Sequence, residues 1–437
     1  MVADQQKQLL GPWMTTALVV GGMIGAGIFM LPVSLEPLGA NAIFGWVISG
    51  FGAMTLAYSL ARLTEPDGAG IQAYIERSFG SALGFVVTWS FWVSAWTAAA
   101  ALAIATASAT ARIAGALNTP SAIAATAIGV IAFLAAVNAA GARSAGQVAV
   151  VTTLIKVLPL LAVVILLLFG ITSAKPLEPL SYVPVTFDKI ASAAALTLFA
   201  LTGFENATAP VGKIRDPART IPRAILGGTA FVAAIYLLSS TSVLLLLPGS
   251  DIATSPAPYA DAIGSSWGEG AALLAAGAVA VSAFGCLNCG ILVFGELGYS
   301  MAARGDLPAF LARTSRGATP VMSQLFGASL AIVLVLLNSN RSTASLFTFV
   351  ILLATSATLV LYVVGACAAL KKRNSRLQTI IVLTGIGFAL FAFYGAGMEA
   401  NGWVLVLLFA GFAIRTVTRW NAGSTLPAAA QPAAPAE

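Results

Sequence analysis

Apolar stretches of about 20 residues recur along the whole chain, and this feature limits its fold more than any other. Such a stretch, wound as a helix that rises about 1.5 Å per residue, crosses the roughly 30 Å of hydrocarbon in a bilayer. Hydrophobic residues make up 59% of the 437 residues and charged residues only 9%, whereas about a quarter of a soluble domain is charged. We therefore predict an all-α polytopic membrane protein with twelve transmembrane helices. The predicted spans are 13–34, 41–62, 83–112, 118–140, 147–170, 190–211, 223–248, 270–303, 320–338, 344–370, 378–396 and 401–420.

The composition argues against metal and nucleophilic chemistry. The chain has no histidine, which disfavours most transition-metal sites, histidine proton relays and catalysis by Ser–His or Cys–His pairs. Cys286 and Cys289 form a CxxC pair, but no second pair accompanies them, and Cys367 stands alone in another apolar stretch. We interpret all three as small packing residues. We therefore expect no cofactor, no metal and no enzymatic activity.

The basic residues predict the orientation of the chain in the membrane. Most of the 22 lysines and arginines fall on one side of the predicted spans, as the positive-inside rule requires of the cytoplasmic side. Both termini, 1–12 and the Ala- and Pro-rich tail 421–437, are then cytoplasmic, and we expect the tail to be disordered. The net charge of +6 thus reflects topology in an inner membrane and implies no nucleic-acid partner. We also expect no signal-peptide cleavage, since the first apolar run follows a polar stretch and ends at Leu31–Pro32.

The first predicted span contains a helix interruption. Four glycines lie within seven positions between Gly21 and Gly27, and each weakens a helix by about 1 kcal/mol relative to alanine. Unwound backbone inside a bilayer must face protein or a water-filled cavity. A half-helix that begins near Gly25–Gly27 would direct free N–H groups and a positive dipole end at a carboxylate. The alternative is a glycine face that packs closely against another helix.

The sixth predicted span has a matching irregularity. Gly203, Glu205 and Asn206 place a glycine, an acid and an amide in the middle of an apolar run. An ionisable residue at that depth indicates function by default. Interrupted spans at corresponding positions of two halves are the sequence pattern of a transporter built from inverted repeats. We predict a first repeat at 13–170 and a second at 190–370, followed by two further spans at 378–420.

Two ionisable side chains are candidates for proton coupling. Lys156 lies midway along the fifth predicted span, too deep to reach the interface easily. It could exchange a proton, or it could be a fixed cation that bonds the carbonyls freed in the first span. Glu205 could be a protonatable group next to the site, or a structural acid bonded to a neighbouring helix.

These residues resemble the amino acid–polyamine–organocation superfamily of permeases. Four elements carry the resemblance and occur in order along nearly the whole chain. They are Gly22–Pro32, Pro66–Tyr74, Gly203–Glu205 with Asp216–Pro222, and Ala302–Pro308 with Thr319–Val321. The resemblance implies a LeuT-type fold of twelve helices, with a 5+5 inverted repeat and interruptions in helices 1 and 6. Length and register are most similar to the bacterial arginine/agmatine antiporters and the related basic amino acid and polyamine antiporters.

The resemblance also assigns individual positions. The aromatic gate of those antiporters corresponds to Phe199, and their substrate-stacking tryptophan to Gly290. Their guanidinium-binding asparagine falls near Ala99. The resemblance therefore does not by itself imply specificity for arginine or agmatine. Lys156 occupies the place of a sodium ion, as in proton-coupled and sodium-independent amino acid permeases of the superfamily.

We therefore predict a secondary active transporter of amino acids that works by exchange or proton-coupled symport. An arginine/agmatine- or polyamine-type antiporter is the alternative, and an ion channel the remote one, because no filter-like repeat or ring of charges is present. The substrate carboxylate would bind at Ile24–Gly27, and the ammonium at carbonyls of Phe199, Ala200 and Thr202. The predicted substrate site consists of Ile24, Gly25, Ala26, Gly27, Ser94, Phe199, Ala200, Thr202, Asn288, Gly290 and Thr355. The sequence leaves open which amino acid is carried and whether the protein forms a homodimer.

Overall fold

The computed structural model describes residues 11–25, 27–63, 71–139, 145–172, 177–205, 217–315, 319–372 and 375–425. Within these ranges the chain is all-helical, as predicted, and contains no strand. The helices of its first part are α1 Pro12–Met23, α2 Gly27–Leu35, α3 Asn41–Ala61, α4 Ile71–Phe79, α5 Ser81–Ile113, α6 Pro120–Ala139 and α7 Ala145–Thr172. Those of its second part are α8 Phe187–Leu201, α9 Pro217–Leu246, α10 Gly249–Thr254, α11 Pro258–Trp267, α12 Glu269–Ala303, α13 Val321–Leu337, α14 Thr343–Leu370 and α15 Arg376–Thr425.

The helices have the length and composition of a multi-pass membrane protein. Among the described residues, 8 helices are long and apolar enough to cross a bilayer, namely α3, α5, α6, α7, α9, α12, α14 and α15. The pair α1 and α2, bent by 48°, adds a ninth if it is one span. Helices α8 and α13 are shorter, at 15 and 17 residues, and α15 carries both of the last two predicted spans. The polytopic architecture agrees with the prediction, and the count of twelve spans stays a prediction.

Local sequence explains where several helices begin and bend. The Ser342 hydroxyl accepts the N–H of Ser345 at 3.2 Å and caps α14, as serine does at helix N-termini. Gly268, with φ of 85°, turns the chain between α11 and α12. Gly397, with φ of 83°, bends α15 between the positions of its two predicted spans. Only glycine adopts such backbone angles at little cost, and so these positions mark the boundaries.

Close helix packing holds α8 against the rest of the bundle. Its Ala193 lies so near Gly45 of α3 that a Cβ there would overlap it, and Gly395 of α15 packs in the same way on the backbone of Ala191. The Thr197 hydroxyl also donates to Ser49 of α3 at 2.8 Å. Small residues let backbones approach in a bilayer, where packing and hydrogen bonds replace the hydrophobic effect between helices. Helix α8 is therefore fixed on two sides.

A buried ion network attaches the end of α15 to the loop after α12. Arg415 Nε donates to Asp306 at 2.8 Å, and Arg419 donates to the same carboxylate oxygen at 2.9 Å. Arg415 also donates to the carbonyl of Ser81 at 3.0 Å, at the start of α5. The side chains of Arg415 and Asp306 are each 7% exposed. The network therefore joins α5, α12 and α15 at one end of the molecule.

Candidate functional site

The first predicted helix interruption lies between α1 and α2. Helix α1 ends at Met23, where the Ile24 N–H still donates to Val20 at 2.8 Å. The Gly25 N–H donates to the Met23 carbonyl at 2.7 Å in a tight turn. Helix α2 begins at Gly27, and Ala26 lies outside the described residues. The glycines thus coincide with a change of helix direction in the middle of an apolar run.

The second predicted interruption follows α8. The helix ends at Leu201, and Thr202 is extended with φ of −71° and ψ of 162°. The Thr202 hydroxyl donates to the Phe199 carbonyl at 2.7 Å, which satisfies one acceptor released by the helix end. Gly203 has φ of 110°, an angle that favours glycine. Residues 206–216, including Asn206, lie outside the described part of the chain.

The two interruptions touch each other. A Cβ on Gly203 would lie 2.7 Å from the Gly22 carbonyl oxygen and 3.3 Å from Met23 Cα. On the other side of the break, a Cβ on Gly27 would lie 2.5 Å from the ring of Phe199. Phe199 is 8% exposed, and its ring therefore covers the first turn of α2. The structure therefore places Gly203 against Gly22 and Met23, and Phe199 against Gly27. Of these residues, Gly27 and Phe199 belong to the predicted substrate site.

Glu205 links the second interruption to α14. One of its carboxylate oxygens accepts the Gly203 N–H at 3.1 Å and the Tyr362 hydroxyl at 3.0 Å. The ring of Tyr362 stacks on that of Phe204, with centroids 5.3 Å apart. Glu205 is 8% exposed. A buried acid needs such donors, because an unsatisfied polar group costs several kcal/mol in hydrocarbon.

Lys156 is buried in α7 with 5% of its surface exposed. No hydrogen bond or ion pair of its ammonium group occurs among the described residues. It lies within electrostatic range of the Cys289 thiol of α12. The Cys286 thiol, one helical turn before Cys289, approaches the Ile24 carbonyl at 3.9 Å. Lys156 thus lies near the part of α12 that borders the first interruption.

The side chains of the predicted substrate pocket come together less closely than the backbone groups of the site. The Ser94 hydroxyl bonds Thr358 of α14 at 2.6 Å, and Thr355 donates to a carbonyl of its own helix at 2.8 Å. Asn288 accepts from Asn138 of α6 at 2.7 Å. Gly290 faces Ala99 of α5, where an added Cβ would lie 3.9 Å away. The polar groups assigned to the pocket therefore bond to protein neighbours in this conformation.

Tyr236 of α9 is a site residue that the sequence analysis missed. Its hydroxyl is fully buried and donates to the Met23 carbonyl at 3.1 Å, an acceptor at the end of α1. Thr229 of the same helix approaches the Met23 sulfur at 3.7 Å. The available signal was a lone tyrosine in the middle of the apolar run 223–248. A buried tyrosine usually finds a hydrogen-bond partner, although the sequence does not say which one.

Interrupted membrane helices that meet at a common point are typical of solute transporters. Residues 10–422 match the amino acid permease family, and the chain belongs to that family. It is 27% identical to a putrescine transporter of Haemophilus influenzae, over 93% of this chain and 96% of the relative. It is 28% identical to a putative arginine/ornithine antiporter of Bacillus subtilis, over 84% and 85%. A cadaverine/lysine antiporter of Escherichia coli is 26% identical over 77% of each chain.

Proposed function

We propose that the protein is a secondary active transporter of amino acids that works by alternating access in the cytoplasmic membrane. The observation that carries the proposal is the contact between the two interruptions, at Gly22–Met23 and Gly203. Backbone groups released from regular winding are costly in a bilayer unless something bonds them. Membership of the amino acid permease family supports a transport role for this pair of breaks.

The first turn of α2 is the proposed site for the substrate carboxylate. Helix N-termini bind anions through free N–H groups and the positive end of the helix dipole. In the described conformation the Gly25 N–H donates to Met23 instead, and the Phe199 ring covers Gly27. Binding therefore requires the ring to move and the Gly25 N–H to exchange its partner for the carboxylate. Phe199 would then close over the bound amino acid.

The end of α8 is the proposed site for the substrate ammonium. The last carbonyls of a helix have no partner within it and carry its negative dipole end. Thr202 donates to the Phe199 carbonyl from its hydroxyl at 2.7 Å and from its N–H at 3.3 Å, and a carbonyl oxygen has two lone pairs. The ammonium would therefore replace one of these two donors. A zwitterion would thus lie between the positive end of α2 and the negative end of α8.

A substrate with two basic groups is the second candidate. The relatives named above are described as a putrescine transporter, a putative arginine/ornithine antiporter and a cadaverine/lysine antiporter. A second ammonium group needs a counter-charge away from water. Glu205, the acid at the second interruption, already accepts two hydrogen bonds on one oxygen. Gly290 and Ala99 also offer no aromatic surface for a guanidinium. We therefore favour a net-neutral amino acid.

Counterflow in proteoliposomes tests the transport mechanism. Vesicles loaded with a panel of unlabelled amino acids should accelerate uptake of the same labelled amino acid above the rate in empty vesicles. Acceleration by a cognate internal solute requires a binding site that is exposed alternately to each side. A channel would conduct at a rate independent of the internal solute. Uptake that ignores the internal amino acid would therefore refute alternating access.

We further propose that Lys156 carries the coupled proton and that Glu205 is a structural acid. Lys156→Met keeps the length of the side chain but removes its charge. It should abolish accumulation driven by an inward proton gradient and preserve exchange. Glu205→Gln, the matched control, keeps an acceptor for Gly203 and Tyr362 and should leave the dependence on the gradient unchanged. The measurement is uptake with and without the gradient. If uptake by Glu205→Gln no longer depended on the proton gradient while uptake by Lys156→Met still did, Glu205 would be the proton carrier and Lys156 the structural residue.

A further inference from the structure

A three-way ion network joins α5, α11 and α12 at the opposite end of α5 from the Arg415 network. Arg112, in the last turn of α5, donates from Nε to Asp261 of α11 at 2.6 Å. Its two terminal nitrogens donate to both carboxylate oxygens of Glu269, the first residue of α12, at 2.7 and 2.8 Å. Ser255 donates to the second oxygen of Asp261 at 2.5 Å. One guanidinium therefore connects the end of α5 both to α11 and to the first residue of α12.

Helix α11 covers α2, the half of the first predicted span that follows the interruption. The Tyr259 ring meets Phe29 of α2 edge-on, with centroids 5.2 Å apart, and its hydroxyl bonds Ser239 of α9 at 3.1 Å. Beneath the start of α11, the segment 256–260 packs against Phe29, Met30, Ala105, Ala109 and Val279, and the space between these residues is too small for a water molecule. Helix α11 therefore covers this part of α2.

The exposure of the network distinguishes it from a permanent structural ion pair. The side chains of Arg112, Asp261 and Glu269 are 22%, 26% and 64% exposed, whereas both partners of the Arg415–Asp306 pair are 7% exposed. A partly hydrated pair is screened by salt and contributes only about 0–1 kcal/mol. Bidentate geometry still gives Arg112 a defined orientation. Such a contact can form and break during a transport cycle.

We propose that Arg112 is a latch that holds α11 over α2 and so controls access to the substrate site from this end of the molecule. The predicted topology places this end outside the cell. The proposal rests on the proposed transport function for its purpose, but the latch itself is a property of the unliganded protein. Breaking the contacts of Arg112 should expose the side chains beneath α11 without disturbing the contact between Gly22 and Gly203.

Cysteine labelling measures the latch directly. Val279 lies beneath the start of α11 and is 3% exposed. A Val279→Cys variant, with the three native cysteines changed to alanine, is reconstituted and treated with a membrane-impermeant methanethiosulfonate. Adding Arg112→Gln should raise the labelling rate about three- to tenfold, the change expected when partly exposed charge pairs are lost. An equal rate in a variant that elutes as a folded monodisperse protein would overturn the proposal.

Arg341→Gln is the matched control, because Arg341 forms another ion pair, with Glu399, that touches neither α11 nor α12. It should leave the labelling rate unchanged, and an increase equal to that of Arg112→Gln would overturn a specific latch. Asp261→Asn and Glu269→Gln should each give part of the increase in labelling rate, and neither should add to the effect of Arg112→Gln.

If Arg112→Gln fails to fold, the Val279→Cys variant with Arg112 intact is labelled at rising NaCl concentration. Faster labelling supports the latch, and a constant rate contradicts it. Labelling needs no substrate, so its outcome is independent of counterflow, which tests the transport function.

Discussion

Replacing Gly203 with alanine is expected to reduce transport by about 100-fold or more. A side chain at φ of 110° is strained by about 1–3 kcal/mol. Its Cβ would also lie 2.7 Å from the Gly22 carbonyl oxygen, and this contact involves backbone, which cannot rotate away. The two interruptions would have to separate, and displacement of reacting or binding groups by about 1 Å can cost roughly two orders of magnitude. The measurement is the counterflow rate per reconstituted molecule.

Gly80→Ala separates backbone strain from the contact between the interruptions. Gly80 has φ of 88°, but a Cβ there would meet nothing within 4 Å. This variant should be destabilised to a similar extent by strain and should transport at close to the normal rate. If Gly203→Ala transports as well as Gly80→Ala, close approach of the two breaks is not needed for function.

Removal of the Asp306 carboxylate is expected to have the largest effect on stability. Asp306→Ala would leave Arg415 buried without its partner, and breaking a buried ion pair from one side typically costs about 3–5 kcal/mol. Arg415 would keep its bond to the Ser81 carbonyl, which does not neutralise the charge. The melting temperature in detergent should fall strongly, and the protein should be recovered in lower yield.

Glu399→Ala is the comparison for that measurement. It breaks the Arg341–Glu399 pair, whose side chains are 36% and 55% exposed, and should cost at most about 1 kcal/mol. Equal losses of melting temperature in the two variants would show that burial does not determine the strength of these pairs in this protein.

The sequence predicted the first interruption well because its cause is local. Glycines between Gly21 and Gly27 weaken the helix wherever the chain is placed, and α1 ends at Met23 with α2 beginning at Gly27. Helix α8 ends at Leu201, close to the break predicted at Gly203, and residues 206–216 lie outside the described part of the chain. The two spans predicted on either side of Gly397 correspond to the two helical parts of α15, which meet without a loop at the non-helical backbone of Gly397.

The partners of the site residues could not be predicted, because they come from distant parts of the chain. Tyr236 and Met23 are 213 residues apart, Tyr362 and Glu205 are 157 apart, and Asn138 and Asn288 are 150 apart. Hydropathy places each of them in a span but says nothing about which spans are neighbours. The pocket assignments for Ser94, Asn288 and Thr355 therefore remain predictions, since packing directs their polar groups to other helices here.

The helices α10 and α11 were not expected as helices. They occupy 249–267, which hydropathy leaves between two predicted spans, and at 6 and 10 residues neither can cross a bilayer. Their position depends on Asp261 and Glu269 meeting Arg112, 149 and 157 residues away along the chain. Such contacts require the assembled bundle, and the latch could therefore be inferred only from the structure.

We expect an amino acid to bind with its carboxylate at the first turn of α2. A thermal-shift screen of the purified protein tests it even before the substrate is identified, because a ligand that binds the folded state raises the melting temperature. The screen compares each amino acid with its methyl ester and with the diamines putrescine and cadaverine. Gly25→Val is the matched variant, since among the described residues a Cβ at Gly25 would meet the Met23 carbonyl oxygen at 3.9 Å, an ordinary contact, and the fold should tolerate it.

We expect at least one free amino acid to raise the melting temperature of the parent protein. Its methyl ester and the diamines should leave the temperature unchanged, and Gly25→Val should abolish the shift. Stabilisation by putrescine or cadaverine in the absence of any amino acid effect, or a shift that survives Gly25→Val, would contradict a carboxylate site at this break.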